Sequence, residues 1–321
     1  MKDFTESLLE TVRETGVYFD LVSQEGNILF KSLEDNDEKL IKFPVAFKYS
    51  VIYVILPKKY EILTSLLKYT LESKFKDMNT RKEEILYSIL SGDIVSPDEV
   101  LCNFPFLKHG ALLFLIKIRE NKEEALAILN ELYGEEDVFS TIYKGNIIIL
   151  GKFEDETEDE TANSIRDSLV TNLYSNCKIS YCGRVFNEKE ILNNYEKSKR
   201  AMYIGECFGI KEEIYSYNSL IFEDIILEVK DEKKKEILEY FTFGLNKFDG
   251  DMINTIDKFI KCDLNISETS KALYIHRNTL IYRLDKIYKE TGYDLRKFKD
   301  ASVFITAFLL WKGEKNKDNR L

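Results

Sequence analysis

The chain has 321 residues, 44% hydrophobic and 32% charged, which predicts a globular protein of two or three domains and excludes a disordered one. No apolar run approaches the roughly 18 residues of a membrane-crossing helix, so no membrane partner is expected. The formal net charge of −10 is uneven: residues 251–321 carry 14 Lys and Arg against 10 Asp and Glu, a net of +4, and the first 250 residues hold −14. A mildly basic module on an acidic body points to a polyanion partner at one end.

The five cysteines, Cys102, Cys177, Cys182, Cys207 and Cys262, are odd in number and dispersed. The N-terminus has early acids and no apolar signal core. Together these predict reduced thiols and a cytoplasmic protein. Only two histidines occur, His109 and His276, which argues against a His–Asp catalytic pair or a His-rich metal site. No catalytic residue, metal ligand or cofactor is expected.

In chain order, "ESLLETVRETG" predicts a helix closed by Gly16. "VYFDLVS" and "NILFKSL" predict strands around the turn "QEGN", and "LIKFPVAFKYSVIYVILP" two more strands stopped by Pro57. Residues 1–76 thus form a small α+β, sensor-like domain. Pro57 to Gly92 predicts a long helix whose apolar stripe is Ile62, Leu63, Leu66, Leu67, Thr70 and Leu71. That stripe suits either a dimer seam or packing on its own sheet, and residues 77–105 serve as a linker helix.

Residues 106–212 are expected to form a β-α-β-β-α-β-α unit, the split βαβ arrangement. Its elements are the apolar run "ALLFLIKI", the helix "KEEALAILNELYG", a hairpin turning at Lys144-Gly145-Asn146, an acid-led helix, "CKISYCGRVF" and a last helix. The acid run Glu154 to Glu160 reads as a solvated loop, since it lacks calcium-loop spacing. Residues 213–250 are expected to be connecting helices, and the chain is nearly all helix from there to Lys312.

Residues 251–321 hold the chemistry. They parse into helices of about Met252 to Cys262, Asn265 or Ser267 to Leu273, and Arg277 to Glu290. Asn265 and Glu268 have capping-box spacing, and Thr291-Gly292 stops the third helix. Two short helices joined by a tight turn make a helix-turn-helix. Small Thr269 and Ser270 fit where the helices cross, and Leu273, Ile275, Leu280, Leu284 and Ile287 form the shared core. At 100° per residue, Asn278, Tyr282, Asp285, Lys286 and Lys289 face away from that core. Thr279 and Arg283 lie on one flank, Arg277 and Ile281 on the other. The candidate DNA-binding residues are therefore His276, Arg277, Asn278, Thr279, Tyr282, Arg283, Lys286 and Lys289. Asn suits adenine, Arg suits guanine, and hydroxyls and Lys grip phosphate. Asp285 runs against this, and a salt bridge to Lys289 would silence it. His276 also suits a turn cap, and Tyr282 also suits packing on a neighbouring helix.

"NISETSKALYIHRNTLIYRLDKIYKETGYDL" resembles the C-terminal helix-turn-helix of PucR/CdaR-type bacterial transcriptional regulators. Thr269, Leu273-Tyr274-Ile275-His276, Asn278-Thr279-Leu280, Tyr282-Arg283-Leu284 and Thr291-Gly292 carry the resemblance, with Asp249 and Thr255 upstream. The helix pair is also similar to that of Fis-type DNA benders. Ser270 departs from the more usual alanine. By element order alone, residues 106–212 resemble the degenerate GGDEF-like domain of the same regulators. A working cyclase of that type needs a Gly-Gly-acid-acid hairpin turn, whereas this hairpin reads "IYKGNIII".

The fold class expected is thus α+β multidomain: a sensor-like sheet, a GGDEF-like (ferredoxin-like) middle domain and an all-α helix-turn-helix. The resemblance implies a sequence-specific regulator that binds a double-stranded DNA operator. It also implies a homodimer and a small-molecule effector at the N-terminal domain. The alternatives are an interaction adaptor that no longer binds DNA, and a divergent nucleotide cyclase.

Overall fold

The protein is described by a computed structural model that covers residues 2–23, 26–33, 39–47, 50–133, 137–153 and 157–318. The chain divides into two compact units, Met1–Lys199 with Glu213–Tyr217, and Arg200–Glu212 with Asn218–Leu321.

The first unit begins with α1 (Lys2–Thr15), which ends as expected at Gly16. Gly16 takes φ +65° and donates its N–H to the Val12 carbonyl at 2.8 Å. Strands β1 (Asp20–Val22), β2 (Ile28–Phe30), β3 (Leu40–Phe47) and β4 (Ser50–Pro57) pair antiparallel in the order β2-β1-β4-β3. Pro44 is tolerated because β3 is an edge strand. In the turn "QEGN", Gln24 and Glu25 lie outside the described residues, as do Lys48 and Tyr49 between β3 and β4.

Residues Lys58–Leu63 form a 3₁₀ turn before the long α2 (Thr64–Ser91), capped by Gly92 at φ +86°. Its apolar stripe divides. Leu67, Leu71 and Phe75 are buried against the first sheet with Leu8, Phe19, Val45, Val54 and Leu56. Leu66 and Tyr69 stay exposed because they fall on the other side of the helix, and Ile62 is exposed in the turn before it. Farther along, Ile85, Leu86, Ile89 and Leu90 enter a second core with Phe104, Leu113, Leu115 and Leu150. One helix thus serves two cores.

The second sheet follows α3 (Pro97–Asn103), which starts at Ser96-Pro97 with Asp98 and Glu99 in its first turn and lies within the residues expected as a linker helix. It is built from β5 (Ala111–Ile118), α4 (Lys122–Tyr133), β6 (Val138–Tyr143), β7 (Asn146–Gly151), α5 (Glu158–Leu173), β8 (Cys177–Val185), α6 (Glu188–Cys207) and β9 (Ile214–Ser216). Strand order is β6-β7-β5-β8-β9, antiparallel throughout except for the β8–β9 pair. β5 is central and buried on both faces, which explains its unbroken apolar run. Leu112, Phe114 and Ile116 pack with α4 and α5, while Leu113 and Leu115 pack with the end of α2. β9 corrects the sequence reading, which gave these residues to a helical connection.

Lys144 (φ +46°) and Gly145 (φ +79°) form a two-residue hairpin turn, and Asn146 already pairs with Tyr143. Of the acid run, Glu154 to Glu156 lie outside the described residues. Thr157 caps α5, reciprocally bonded with Glu160. No disulfide joins the five cysteines, and burial pushes the Cys177 thiol up to about 11, which keeps it protonated and inert. Gly151 has no room for a side chain, since a Cβ there would sit 2.7 Å from the Val138 Cα and 2.8 Å from the Asp137 carbonyl. Gly151→Ala is expected to cost about 1–3 kcal/mol in thermal unfolding.

The second unit contains α7 (Ile221–Leu227), α8 (Asp231–Leu245), α9 (Gly250–Lys261), α10 (Ile266–Ala272), α11 (Arg277–Thr291) and α12 (Phe298–Asp318). Its core joins Phe241, Leu245, Phe259, Leu280, Leu284, Ile287, Phe304, Phe308 and Trp311. The Trp311 indole N–H donates to Asn246 Oδ1 at 3.0 Å, so its polar edge is satisfied. Among the described residues, no helix is long and apolar enough to cross a membrane.

Candidate nucleic-acid interface

Three caps set the directions of the helices. Asp249 accepts from the Met252 N–H at 2.9 Å and starts α9. Asn265 accepts from the N–H groups of Ser267 and Glu268 at 2.9 and 3.2 Å and starts α10. His276 starts α11 by accepting the Asn278 N–H on Nδ1 at 3.2 Å. That bond requires an unprotonated Nδ1, which leaves Nε2 to face solvent with its proton.

The turn between α10 and α11 is tight for a definable reason. The Ile275 N–H reaches the Ser270 carbonyl and the Tyr274 N–H reaches the Lys271 carbonyl, at 3.0 and 3.1 Å. This is the Schellman pattern, and it places Tyr274 at φ +54°. A tyrosine in a position that favours glycine is strained, and its side chain is 96% exposed, so no burial compensates. Tyr274→Gly is expected to raise stability by about 0.5–1 kcal/mol in a thermal melt. Lowered DNA affinity in that stabilised variant would mark the phenol as a contact.

Thr269 and Ser270 are buried where the helices cross. Leu280, Leu284 and Ile287 are buried, and Leu273 and Ile275 pack partly against them. The outward face of α11 presents Arg277, Asn278, Thr279, Tyr282, Lys286 and Lys289, all exposed, with His276 at its start. Tyr282 is 69% exposed and packs into no core.

Arg283 stands apart from the other candidates. Its Nη1 donates to Thr255 Oγ1 at 2.7 Å, and Thr255 in turn donates to the Asp251 carbonyl at 2.7 Å. Its Nη2 lies 3.9 Å from the Asp251 carboxylate, and the side chain is only 23% exposed. On the helical wheel, Arg283 sits about 60° from Leu280, nearer the core than the solvent face. It braces α11 against α9.

Asp285 is silenced, but by a different partner from the one expected. Arg296 Nη1 sits 2.9 Å from Asp285, and Arg296 Nε sits 2.7 Å from Asp294. The hydrogen bond from Arg296 holds the Asp294 carboxyl below its usual range and raises the arginine's own. Sequence reasoning missed Arg296 because it lies beyond the helix, after Gly292. The doublet of Asp294 and Arg296, two residues apart, was the available signal. Among the described residues, no cluster of three or more His, Cys, Asp or Glu is placed to share a metal ion.

The chain is 27% identical over 155 residues to the uncharacterized protein YxkF of Bacillus subtilis (strain 168), covering 48% of this chain and 52% of that protein. It is 26% identical over 238 residues to the DNA-binding transcriptional activator AdeR of the same organism, covering 67% and 56%. It is 30% identical over 122 residues to the carbohydrate diacid regulator of Escherichia coli (strain K12), covering 37% and 32%. The chain therefore spans about half the length of the first two relatives and a third of the other. A solved regulator of polyketide synthase expression from Bifidobacterium adolescentis aligns over 74% of this chain and 98% of its own, at 17% identity and a TM-score of 0.35, too low to bear on the fold. Residues 252–310, which take in most of α9, all of α10 and α11 and the first part of α12, match the family described as the PucR C-terminal helix-turn-helix domain.

Proposed function

We propose that the chain is a sequence-specific, DNA-binding transcriptional regulator, acting in the cytoplasm as a homodimer. The observation that carries this is the outward face of α11. Its first two turns carry Arg277, Asn278 and Tyr282 exposed, and the acid on that face, Asp285, is paired with Arg296. In this reading α11 lies in the major groove. Arg277, Asn278 and Tyr282 meet base edges, while His276, Thr279, Lys286 and Lys289 hold phosphates. Arg283 acts through α9 and not on a base. The names of the relatives AdeR and the carbohydrate diacid regulator support the reading.

The first sheet would take a small-molecule effector, and the second sheet would relay the signal as a GGDEF-like fold without catalysis. Its strand order supports that resemblance, and its hairpin turn, Lys144 and Gly145, supplies no carboxylate for a cyclase metal. An adaptor that has lost DNA is the second reading, favoured by the −14 carried on the first 250 residues.

The test is selection of bound sequences from random duplex DNA by the full-length chain at two salt concentrations. An enriched motif whose affinity falls with salt is expected. Absence of enrichment at both salts, from folded protein, would favour the adaptor.

A further inference from the structure

We propose that the outer face of α8 is a self-association surface that seats a second copy of this chain antiparallel to the first. The proposal rests on the DNA-binding reading for its purpose, and on α8 alone for its geometry.

The inner face of α8 buries Phe241 and Leu245 in the helical core. The outer face exposes two aromatics, Tyr240 at 71% and Phe243 at 76%. Glu236 lies four residues before Tyr240, and Lys247 four after Phe243. Lys247 Nζ sits 4.3 Å from the centre of the Phe243 ring, which puts it on the same face although it follows the last helical turn. The stripe is therefore acid, aromatic, aromatic, base, at spacings of four, three and four. That is the alternating a and d spacing of a helix-pairing seam.

The order of the stripe selects its occupant. In an antiparallel pair, Tyr240 meets Phe243 of the second copy, and Glu236 meets Lys247 of the second copy. Both pairings have the same midpoint, between Phe241 and Thr242, so a single two-fold axis satisfies them together. A parallel pair would instead set Glu236 on Glu236 and Lys247 on Lys247. Beside the aromatics, Tyr240, Phe243, Gly244, Glu290 and Thr291 line a shallow cavity that suits an incoming ring. Gly244 lets the two helices touch beneath it: a Cβ there would lie 2.8 Å from the Glu290 carbonyl of α11. The close approach also fixes α8 to α11, so pairing through α8 would set the distance between two DNA-facing helices.

Lys247 already holds Glu290 at 2.6 Å, and Lys233 holds Glu236 at 2.8 Å. Lys247, Lys233 and Glu236 are exposed and Glu290 is half-buried, and ion pairs at a surface exchange partners readily. Four side chains per copy fall short of the roughly 1,000 Å² of a stable interface. The surface therefore acts when two copies are already held close, on one duplex or by another part of the chain.

The test uses the full-length chain with E236K, K247E and the double charge swap, on the duplex pool enriched by the wild type. Each single reversal is expected to raise the protein needed to load a second copy by about tenfold, through like-charge contact across the axis. The double swap restores loading. Within one chain these positions are 11 residues apart along the helix, about 16 Å, so the rescue can only be intermolecular. A double swap as poor as the singles, or unchanged loading in F243A, overturns the proposal. If the wild type binds no DNA, the DNA reading fails separately, and the same five proteins are compared by sedimentation at high concentration. A wild type that stays monomeric there and loads no second copy on DNA also overturns it.

Discussion

Leu284→Ala is expected to cost about 2–5 kcal/mol of stability, seen as a lowered thermal midpoint for the second unit. Leu284 is 1% exposed and sits between Leu280 and Ile287 on the buried side of α11, against the core that contains Phe259 and Phe304. Truncation leaves a cavity under the helix that would read DNA, so affinity should fall for all sequences together. Leu284→Met keeps the volume and is expected to cost less than about 1.5 kcal/mol. Equal losses in the two variants would mean that the site tolerates no change of shape, and that volume is not what it requires.

Arg283 and Asn278 should separate cleanly. Asn278→Ala is expected to leave the melting temperature alone and to relax preference at one base position, by about 1–3 kcal/mol. Arg283→Ala is expected to do the reverse. It removes a charged donor from Thr255, at about 1.5–3 kcal/mol in stability, and weakens binding without changing which sequence is preferred. Arg283→Lys offers one ammonium in place of a planar fork and should rescue poorly. Selection profiles of the variants check both expectations. A shifted base preference in Arg283→Ala would return that residue to the base-reading set.

The helical part of the second unit was legible because it obeys local rules. Caps at Asn265, the stop at Gly292 and the period of Leu280, Leu284 and Ile287 all lie in the sequence within one or two turns of what they specify. The hairpin at Lys144-Gly145 and the strand β5 were legible for the same reason. What was not legible depends on distant partners. Arg283 looked like a surface cation until Thr255, 28 residues earlier, took its proton donors. Asp285 looked like a partner for Lys289 until Arg296 came round from beyond the helix. β9 is three residues long and exists only because β8 offers an edge for it. The apolar stripe of α2 was seen as a single surface, since periodicity shows which residues align but not where a sheet ends.

α2 has a mechanical consequence. Its 28 residues make a rod of about 42 Å, clamped near one end by Leu67, Leu71 and Phe75 and near the other by Ile85, Leu86, Ile89 and Leu90. Close-packed cores yield to rotation or sliding only by repacking. The rod is then a shaft with a bearing in each sheet, and torque applied at one bearing is resisted at the other. Inserting a single residue near Asn79, between the bearings, would turn one set of knobs by about 100° relative to the other, so the two cores could not both stay filled.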